Sequence, residues 1–118
     1  MSKERVLKTL EGLGLSRADA EVYVYLAKKG PRKERKLAND LQVTKQQLYP
    51  SLRKLKKKGI VTASLDRPAL FSAVAFEKVL ELLIEIKVEQ AKAIEKTKKE
   101  LLDSWRSASR QEQTWYSC

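Results

Sequence analysis

The stretch VTKQQLYPSLRKLKKKG, residues 43–59, carries the clearest helix signals in this 118-residue chain. Thr44 and Gln47 have the spacing of a capping box, in which each side chain bonds the backbone N–H of the other residue. Val43 before the cap and Leu48 after it have the spacing of a hydrophobic staple. Gly59 follows three lysines and suits a left-handed helix end. These signals predict a helix that begins at Lys45 and is closed by Gly59.

The two faces of this helix differ in chemistry. At about 100° per residue, Leu48, Leu52 and Leu55 fall on one side and predict a stripe that faces a core. Pro50 lacks a backbone N–H, so we expect the helix to bend or loosen there. The opposite side is polar and mostly cationic, and it comprises Gln46, Pro50, Arg53, Lys54 and Lys57.

Three shorter helices are predicted before this one. They cover roughly Lys3–Leu13, the segment from Ser16 to the Gly30-Pro31 break, and Lys33–Leu41. Asp19 lies three residues after Ser16 and resembles the acid of a shortened capping box. Their expected buried residues are Val6, Leu7, Leu10, Leu13, Val22, Tyr23, Leu26, Ala27, Leu37, Ala38 and Leu41.

Two β-prone runs follow the cationic helix. Ile60–Leu65 and Leu70–Ala75 are separated by the turn-forming residues 66–69, which predicts a hairpin. The order helix, tight turn, helix and hairpin is that of a winged helix-turn-helix. We therefore expect a mainly α fold with a small β hairpin (α+β) over residues 1–75.

A long helix is predicted for residues 76–106, because no Gly or Pro interrupts them. Its apolar positions recur with an eleven-residue relation, which is typical of a nearly straight helix pair. We expect this helix to form a homodimer, although a stripe folded back onto its own domain is the alternative. Residues 107–118 are expected to be a flexible tail. The predicted dimer interface comprises Val79, Leu83, Ile86, Gln90, Ile94, Thr97 and Leu101.

The positive charge is concentrated in one part of the chain. Residues 28–58 hold twelve basic side chains against Glu34 and Asp40, whereas the segments on either side are each electroneutral. The whole formal net charge of +10 therefore lies in this segment. Such a field favours a polyanion, since each neutralised phosphate releases condensed counterions. A solvated surface kept for solubility is the alternative.

Several function classes conflict with the composition. The chain has no His and one Cys, Cys118, so it offers no catalytic imidazole, no intrachain disulfide and no cysteine cluster for a metal. We expect no enzyme activity, no metal site and no cofactor. No leader-like segment or long apolar run is evident, which predicts a cytoplasmic protein without a membrane partner. Cys118 is expected to be an idle thiol rather than a bridge between two tails.

Short fragments in a fixed order resemble the DNA-binding domain of the TrmB-like family of archaeal transcriptional regulators. The resemblance covers about residues 5–85 and implies a winged helix-turn-helix that binds double-stranded DNA. The fragments are Leu13-Gly14-Leu15-Ser16, Ala20-Glu21-Val22-Tyr23, Gly30-Pro31, Lys36-Leu37-Ala38, Val43-Thr44, Leu48-Tyr49, Leu52-x-x-Leu55, Gly59-Ile60-Val61, Arg67-Pro68 and Ala73-Val74.

The same resemblance implies that the helix from Lys45 is the recognition helix and that Arg67 lies at the wing tip. The chain departs from the family pattern at Ala69 and Leu70, where further basic wing residues are usual, and at Pro50 inside the recognition helix. Larger family members carry a C-terminal sugar-binding domain, and we expect none here. A small-molecule effector remains unidentified.

These features predict a sequence-specific regulator that binds a palindromic DNA site as a homodimer. In a helix-turn-helix the N-terminal part of the second helix enters the major groove. Gln46 is the best candidate for base readout, Gln47 is also the capping-box partner, and Tyr49 has packing against the wing as its alternative. Arg67 is expected near the minor groove, with an ion pair to Asp66 as the alternative. The candidate base contacts are Lys45, Gln46, Gln47 and Tyr49, and the candidate phosphate contacts are Arg32, Lys33, Lys36, Arg53, Lys54 and Lys57.

A second hypothesis is a protein-interaction adaptor of the transcription machinery. Some winged helices act in this way, and the long amphipathic helix would then be the working surface. An adaptor is not expected to bind random duplex DNA, which separates the two hypotheses.

Overall fold

A computed structural model describes residues 2–110 and shows a mainly helical chain with a small antiparallel sheet. The fold class predicted from sequence is confirmed. The helices are α1 (Lys3–Gly12), α2 (Arg17–Lys29), α3 (Glu34–Leu41), α4 (Lys45–Lys57) and α5 (Phe76–Arg110), and the strands are β1 (Arg32–Lys33), β2 (Val61–Ala63) and β3 (Leu70–Ala73).

Side-chain caps fix the starts of three helices. The hydroxyl of Ser2 accepts from the N–H of Arg5 at 3.3 Å, and that of Ser16 accepts from the N–H of Asp19 at 3.1 Å. At α4 both halves of the capping box form, because the Thr44 hydroxyl accepts from the Gln47 N–H and the Gln47 amide oxygen accepts from the Thr44 N–H. Each cap satisfies backbone donors that a helix start leaves without partners.

The sheet contains a strand that the sequence did not reveal. Arg32 and Lys33 form β1, which pairs antiparallel with β3, so that the strand order is β1-β3-β2. The hairpin of β2 and β3 is shorter than the predicted runs and pairs Val61 with Ala73. Because Lys33 belongs to β1, α3 begins at Glu34 and has no side-chain cap.

The core joins the first four helices, β2 and the start of α5. Tyr23 lies at its centre with 1% of its surface exposed, and its hydroxyl donates to the carbonyl of Val74 at 2.7 Å. Ala27, expected inside, is exposed instead because it lies on the solvent side of α2. The buried hydrophobic residues are Leu7, Leu10, Leu15, Ala20, Val22, Tyr23, Val24, Leu26, Leu37, Ala38, Leu48, Leu52, Leu55, Ile60, Val61, Val79 and Leu83.

The chain divides into a unit that ends at Ile84 and a second unit that begins at Glu85. Helix α5 starts in the first unit, where Val79 and Leu83 are 0% and 1% exposed. The prediction that these two side chains lie in a dimer interface is therefore wrong, because they complete the core of their own domain. This observation supports the fold-back alternative for the first turns of α5.

Helix α5 is longer than predicted and continues to Arg110, so residues 107–110 are helical rather than part of a tail. Cys118 and the rest of the predicted tail lie outside the described residues. None of the helices within residues 2–110 is long and apolar enough to span a membrane. Over the same residues, His, Cys, Asp and Glu side chains nowhere gather into a metal-binding group of three.

Candidate nucleic-acid interface

The turn between α3 and α4 orders the start of α4. Gln42 adopts a left-handed backbone with φ of 56°, and the N–H of Val43 donates to the carbonyl of Ala38 at 3.0 Å. Val43 packs against the core beside the buried Leu48, as the predicted staple requires. The first turn of α4 is thereby held at the protein surface.

All four candidate base contacts are exposed on or beside this first turn: Lys45, Gln46, Gln47 and Tyr49. They are not equivalent, since the amide oxygen of Gln47 is engaged at 2.9 Å with the N–H of Thr44. Only the amide NH₂ of Gln47 is left to face a ligand. Tyr49 remains 56% exposed.

Pro50 lies inside α4, which nevertheless runs as one helix from Lys45 to Lys57. Pro50 has no N–H to donate to the carbonyl of Gln46, the residue four positions earlier. The backbone oxygen of Gln46 therefore keeps accepting capacity next to its exposed side-chain amide. Gln46 presents two kinds of acceptor and one NH₂ donor on this surface.

The outward cations of α4 fall into two groups. Arg53 and Lys57 are exposed to solvent. Lys54 instead places its Nζ 3.3 Å from Oδ2 of Asp19, a carboxylate in the first turn of α2. Sequence reasoning missed this partner, because Asp19 had been interpreted only as a capping acid. Its side chain is buried and Oδ1 has no hydrogen-bond partner among residues 2–110.

The cations before and within α3 are partly neutralised. Lys36 Nζ lies 3.1 Å from Oδ1 of Asp40, and the hydroxyl of Tyr25 donates to Oδ2 of the same carboxylate. The Tyr25 hydrogen bond and then the Lys36 ammonium lower the pKa of Asp40, while the bond to Asp40 raises the pKa of Tyr25. The acid is thus held in its charged form.

The remaining predicted phosphate contacts of this region sit on β1. Arg32 is half-buried and donates from its guanidinium to the carbonyl of Pro31 at 2.8 Å. Lys33 is exposed and lines an open hollow with Arg35, Lys36 and Asn39. Two strand residues therefore place cations directly before the helix that carries Lys36.

The wing is the β2–β3 connection. Ser64 anchors it, because its hydroxyl accepts from the N–H of Leu70 at 2.9 Å. Arg67 is exposed between the two strands, and the expected alternative of an ion pair to Asp66 is not formed within the described part of the chain. Leu65 is fully exposed beside it.

A small hollow lies between α4 and β3, with a volume of about 150 Å³. Tyr49 and Phe71 both line it, so Tyr49 is next to the strand that forms the wing, as its alternative role implied. The hollow is bounded by Glu34, Tyr49, Leu52, Arg53, Lys56 and Phe71.

In the second unit, α5 presents an apolar surface. Ile94, Leu101 and Trp105 are 69%, 63% and 58% exposed and border a trough of about 730 Å³. Leu102 also lines it, although the eleven-residue pattern had not selected that residue. Of the other predicted interface residues, Ile86, Gln90 and Thr97 are exposed as well.

Comparisons with known proteins agree with this architecture. The model of a family described as sugar-specific transcriptional regulator TrmB matches residues 10–77. The HTH-type sugar-sensing transcriptional regulator TrmBL1 of Pyrococcus furiosus is 29% identical over 101 residues. That match covers 86% of this chain and 30% of TrmBL1, so the chain spans less than a third of that relative's length.

Solved structures give the same picture. TrmBL2, described as an archaeal chromatin protein with a novel mode of DNA binding, superposes with a TM-score of 0.81 at 26% identity. The superposition covers 96% of this chain and 46% of TrmBL2. A transcriptional regulator of Thermotoga maritima shares the fold with a TM-score of 0.56 at 20% identity, over 98% of this chain and 90% of that one.

Proposed function

Since the chain belongs to the TrmB family of transcriptional regulators, a winged-helix DNA-binding family, we propose that it binds a palindromic double-stranded DNA site as a homodimer and reads its sequence through α4. The observation that carries this proposal is the exposed, capped first turn of α4, with Lys45, Gln46 and Tyr49 on its surface. The buried side of the same helix is apolar, so this surface is presented without loss of core packing.

Base readout is assigned to the first turn of α4. The major groove is wide enough for a helix and shows a distinct donor and acceptor pattern for each base pair. A glutamine amide binds adenine N6 and N7 together, which gives about 1–3 kcal/mol of discrimination. Gln46 is the proposed reader, because its amide is exposed and uncommitted, whereas the amide oxygen of Gln47 already serves the cap. Lys45 and Tyr49 lie beside it.

Phosphate contacts are assigned first to the cations that no carboxylate holds. These are Arg53 and Lys57 on α4 and Lys33 on β1. Lys36 and Lys54 belong to the proposed set as well, but each must exchange a carboxylate for a phosphate, which reduces its net contribution. Such contacts set affinity and orientation rather than sequence preference.

Arg67 is proposed to approach the minor groove. Narrow A·T-rich minor grooves have an enhanced negative potential that attracts a guanidinium. The exposure of Arg67 at the β2–β3 connection supports this role. The neighbouring Leu65 and Ala69 add no charge, so we propose that the wing contributes a single cation.

Dimerisation is assigned to the second unit. Exposed Ile94, Leu101 and Trp105 form a continuous apolar surface, and such a surface marks an interaction site. Two identical helices paired about a twofold axis present two copies of α4, which favours half-sites about one helical turn of DNA apart. The palindrome follows from that symmetry.

The same apolar surface also favours a second candidate, an adaptor that uses α5 to bind another protein. A mobility shift on random duplex DNA at micromolar protein and moderate salt distinguishes the two. We expect the chain to shift the duplex, and Arg53→Gln to weaken the shift relative to the matched control Arg5→Gln on α1. The absence of any shift would reject the DNA-binding proposal and leave the adaptor.

A further inference from the structure

We infer that the hollow between α4 and β3 is a seat for one backbone phosphate of the DNA together with its deoxyribose. This inference rests on the proposed function, because it concerns the same α4 surface. It assigns a phosphate contact to Lys56, a residue not among the predicted phosphate contacts. It also assigns Tyr49 to the sugar rather than to a base edge.

The lining of the hollow fits both parts of a nucleotide unit. Arg53 and Lys56 are exposed on α4 and lie along its rim. A guanidinium and an ammonium are the groups that bind phosphate oxygens in proteins. The Tyr49 ring, the buried Leu52 and the half-buried Phe71 form the apolar walls, which suit the C–H surface of a deoxyribose.

The size of the hollow limits its occupant. Pockets for drug-sized ligands usually measure about 300–1,000 Å³, and this one measures about 150 Å³. A phosphate with part of its sugar is a group of this smaller scale. The hollow opens beside the first turns of α4, so a DNA strand that follows that helix passes the rim.

The one acid in the hollow, Glu34, opposes a phosphate. Glu34 begins α3 and is half-buried at the edge of the site. Its carboxylate repels an anion seated between Arg53 and Lys56, so neutralising it is expected to strengthen DNA binding. Opposite effects of Glu34 and Lys56 are therefore a signature of this seat.

The test measures duplex DNA affinity as a function of salt for Lys56→Gln, Glu34→Gln and a control, Lys8→Gln. Lys8 is exposed on α1, which contributes nothing to the hollow, and its substitution changes the net charge by the same amount. We expect Lys56→Gln to weaken binding roughly threefold to tenfold. Its plot of log affinity against log salt is expected to be shallower by about 0.9 for each seat lost. Glu34→Gln is expected to bind more tightly, and Lys8→Gln to keep the wild-type slope.

A second arm keeps the wild-type protein and replaces single DNA phosphates by uncharged methylphosphonates. One linkage in each half-site is expected to weaken binding in the wild type and to have no further effect in Lys56→Gln. If the wild type binds DNA but Lys56→Gln matches Lys8→Gln in slope and affinity, the seat is rejected while the proposed function stands. If the wild type binds no duplex, both are rejected.

Discussion

Lys54 Nζ lies 3.3 Å from Oδ2 of Asp19, so a cation of the exposed helix α4 neutralises an acid buried within the domain. The two partners are unequal, because the Asp19 side chain is 3% exposed and that of Lys54 is 55% exposed. Removing the lysine leaves a buried carboxylate without its counter-charge, whereas removing the acid leaves a lysine that water can solvate.

We therefore expect Lys54→Met to destabilise the fold more than Asp19→Asn. The expected loss in free energy of unfolding is about 1–3 kcal/mol for Lys54→Met and about 1 kcal/mol or less for Asp19→Asn. Urea unfolding monitored by circular dichroism measures both. An equal loss, or a larger loss for Asp19→Asn, would contradict this account of the pair.

Gln46 and Arg53 are expected to differ in what they contribute to DNA binding. Gln46→Ala should lower affinity for a selected site by about 1–3 kcal/mol while it leaves binding to random duplex nearly unchanged. Arg53→Ala should weaken binding to both DNAs by a similar factor, because a phosphate contact carries no base information. Titrations by fluorescence anisotropy with a selected and a random oligonucleotide provide the comparison. A loss of discrimination in Arg53→Ala alone would reverse the two assignments.

Tyr23 predicts a loss of stability at alkaline pH. Burial raises the pKa of Tyr23 to about 12, and its neutral hydroxyl donates to Val74. A tyrosine pKa that is higher in the folded than in the unfolded state contributes stability below about pH 10. That contribution is lost as pH rises through 12.

Tyr23→Phe is expected to cost about 1–2 kcal/mol at neutral pH, since the Val74 carbonyl loses its donor. The difference in free energy of unfolding between this variant and the wild type should shrink as pH rises above about 10. Chemical unfolding at a series of pH values tests this. A difference that stays constant up to pH 12 would show that Tyr23 does not titrate as its burial implies.

Leu101→Glu is expected to dissociate the proposed dimer. Leu101 lines the apolar trough of α5, and a carboxylate placed there must be buried against a second copy. Ser107→Glu introduces the same charge outside the trough and is expected to keep the dimer. Light scattering should give twice the 13.5 kDa chain mass for the wild type and the control, and a single chain mass for Leu101→Glu. A wild type of single chain mass would contradict the homodimer.

Local sequence signals predicted the elements that position the candidate interface. The Thr44–Gln47 capping box and the Val43–Leu48 staple act within a few residues, so their outcome depends little on the rest of the chain. The start of α4 and its buried leucine stripe were accordingly confirmed. The roles proposed for individual side chains in DNA binding stay predictions.

Features that depend on distant residues were missed. β1 has only two residues, and its partner Phe71 lies far along the chain, so no periodic pattern announces it. The Asp19 and Lys54 contact has the same origin. For Val79 and Leu83, an apolar helix stripe looks the same whether its partner is its own domain or another copy.

The central claim is that the cations around α4 bind the DNA backbone. The most direct measurement is the affinity for duplex DNA at several salt concentrations. We expect log affinity to fall linearly with log salt, with a slope of about −5 to −9 for a dimer that makes about six to ten phosphate contacts. A slope near zero would contradict the claim.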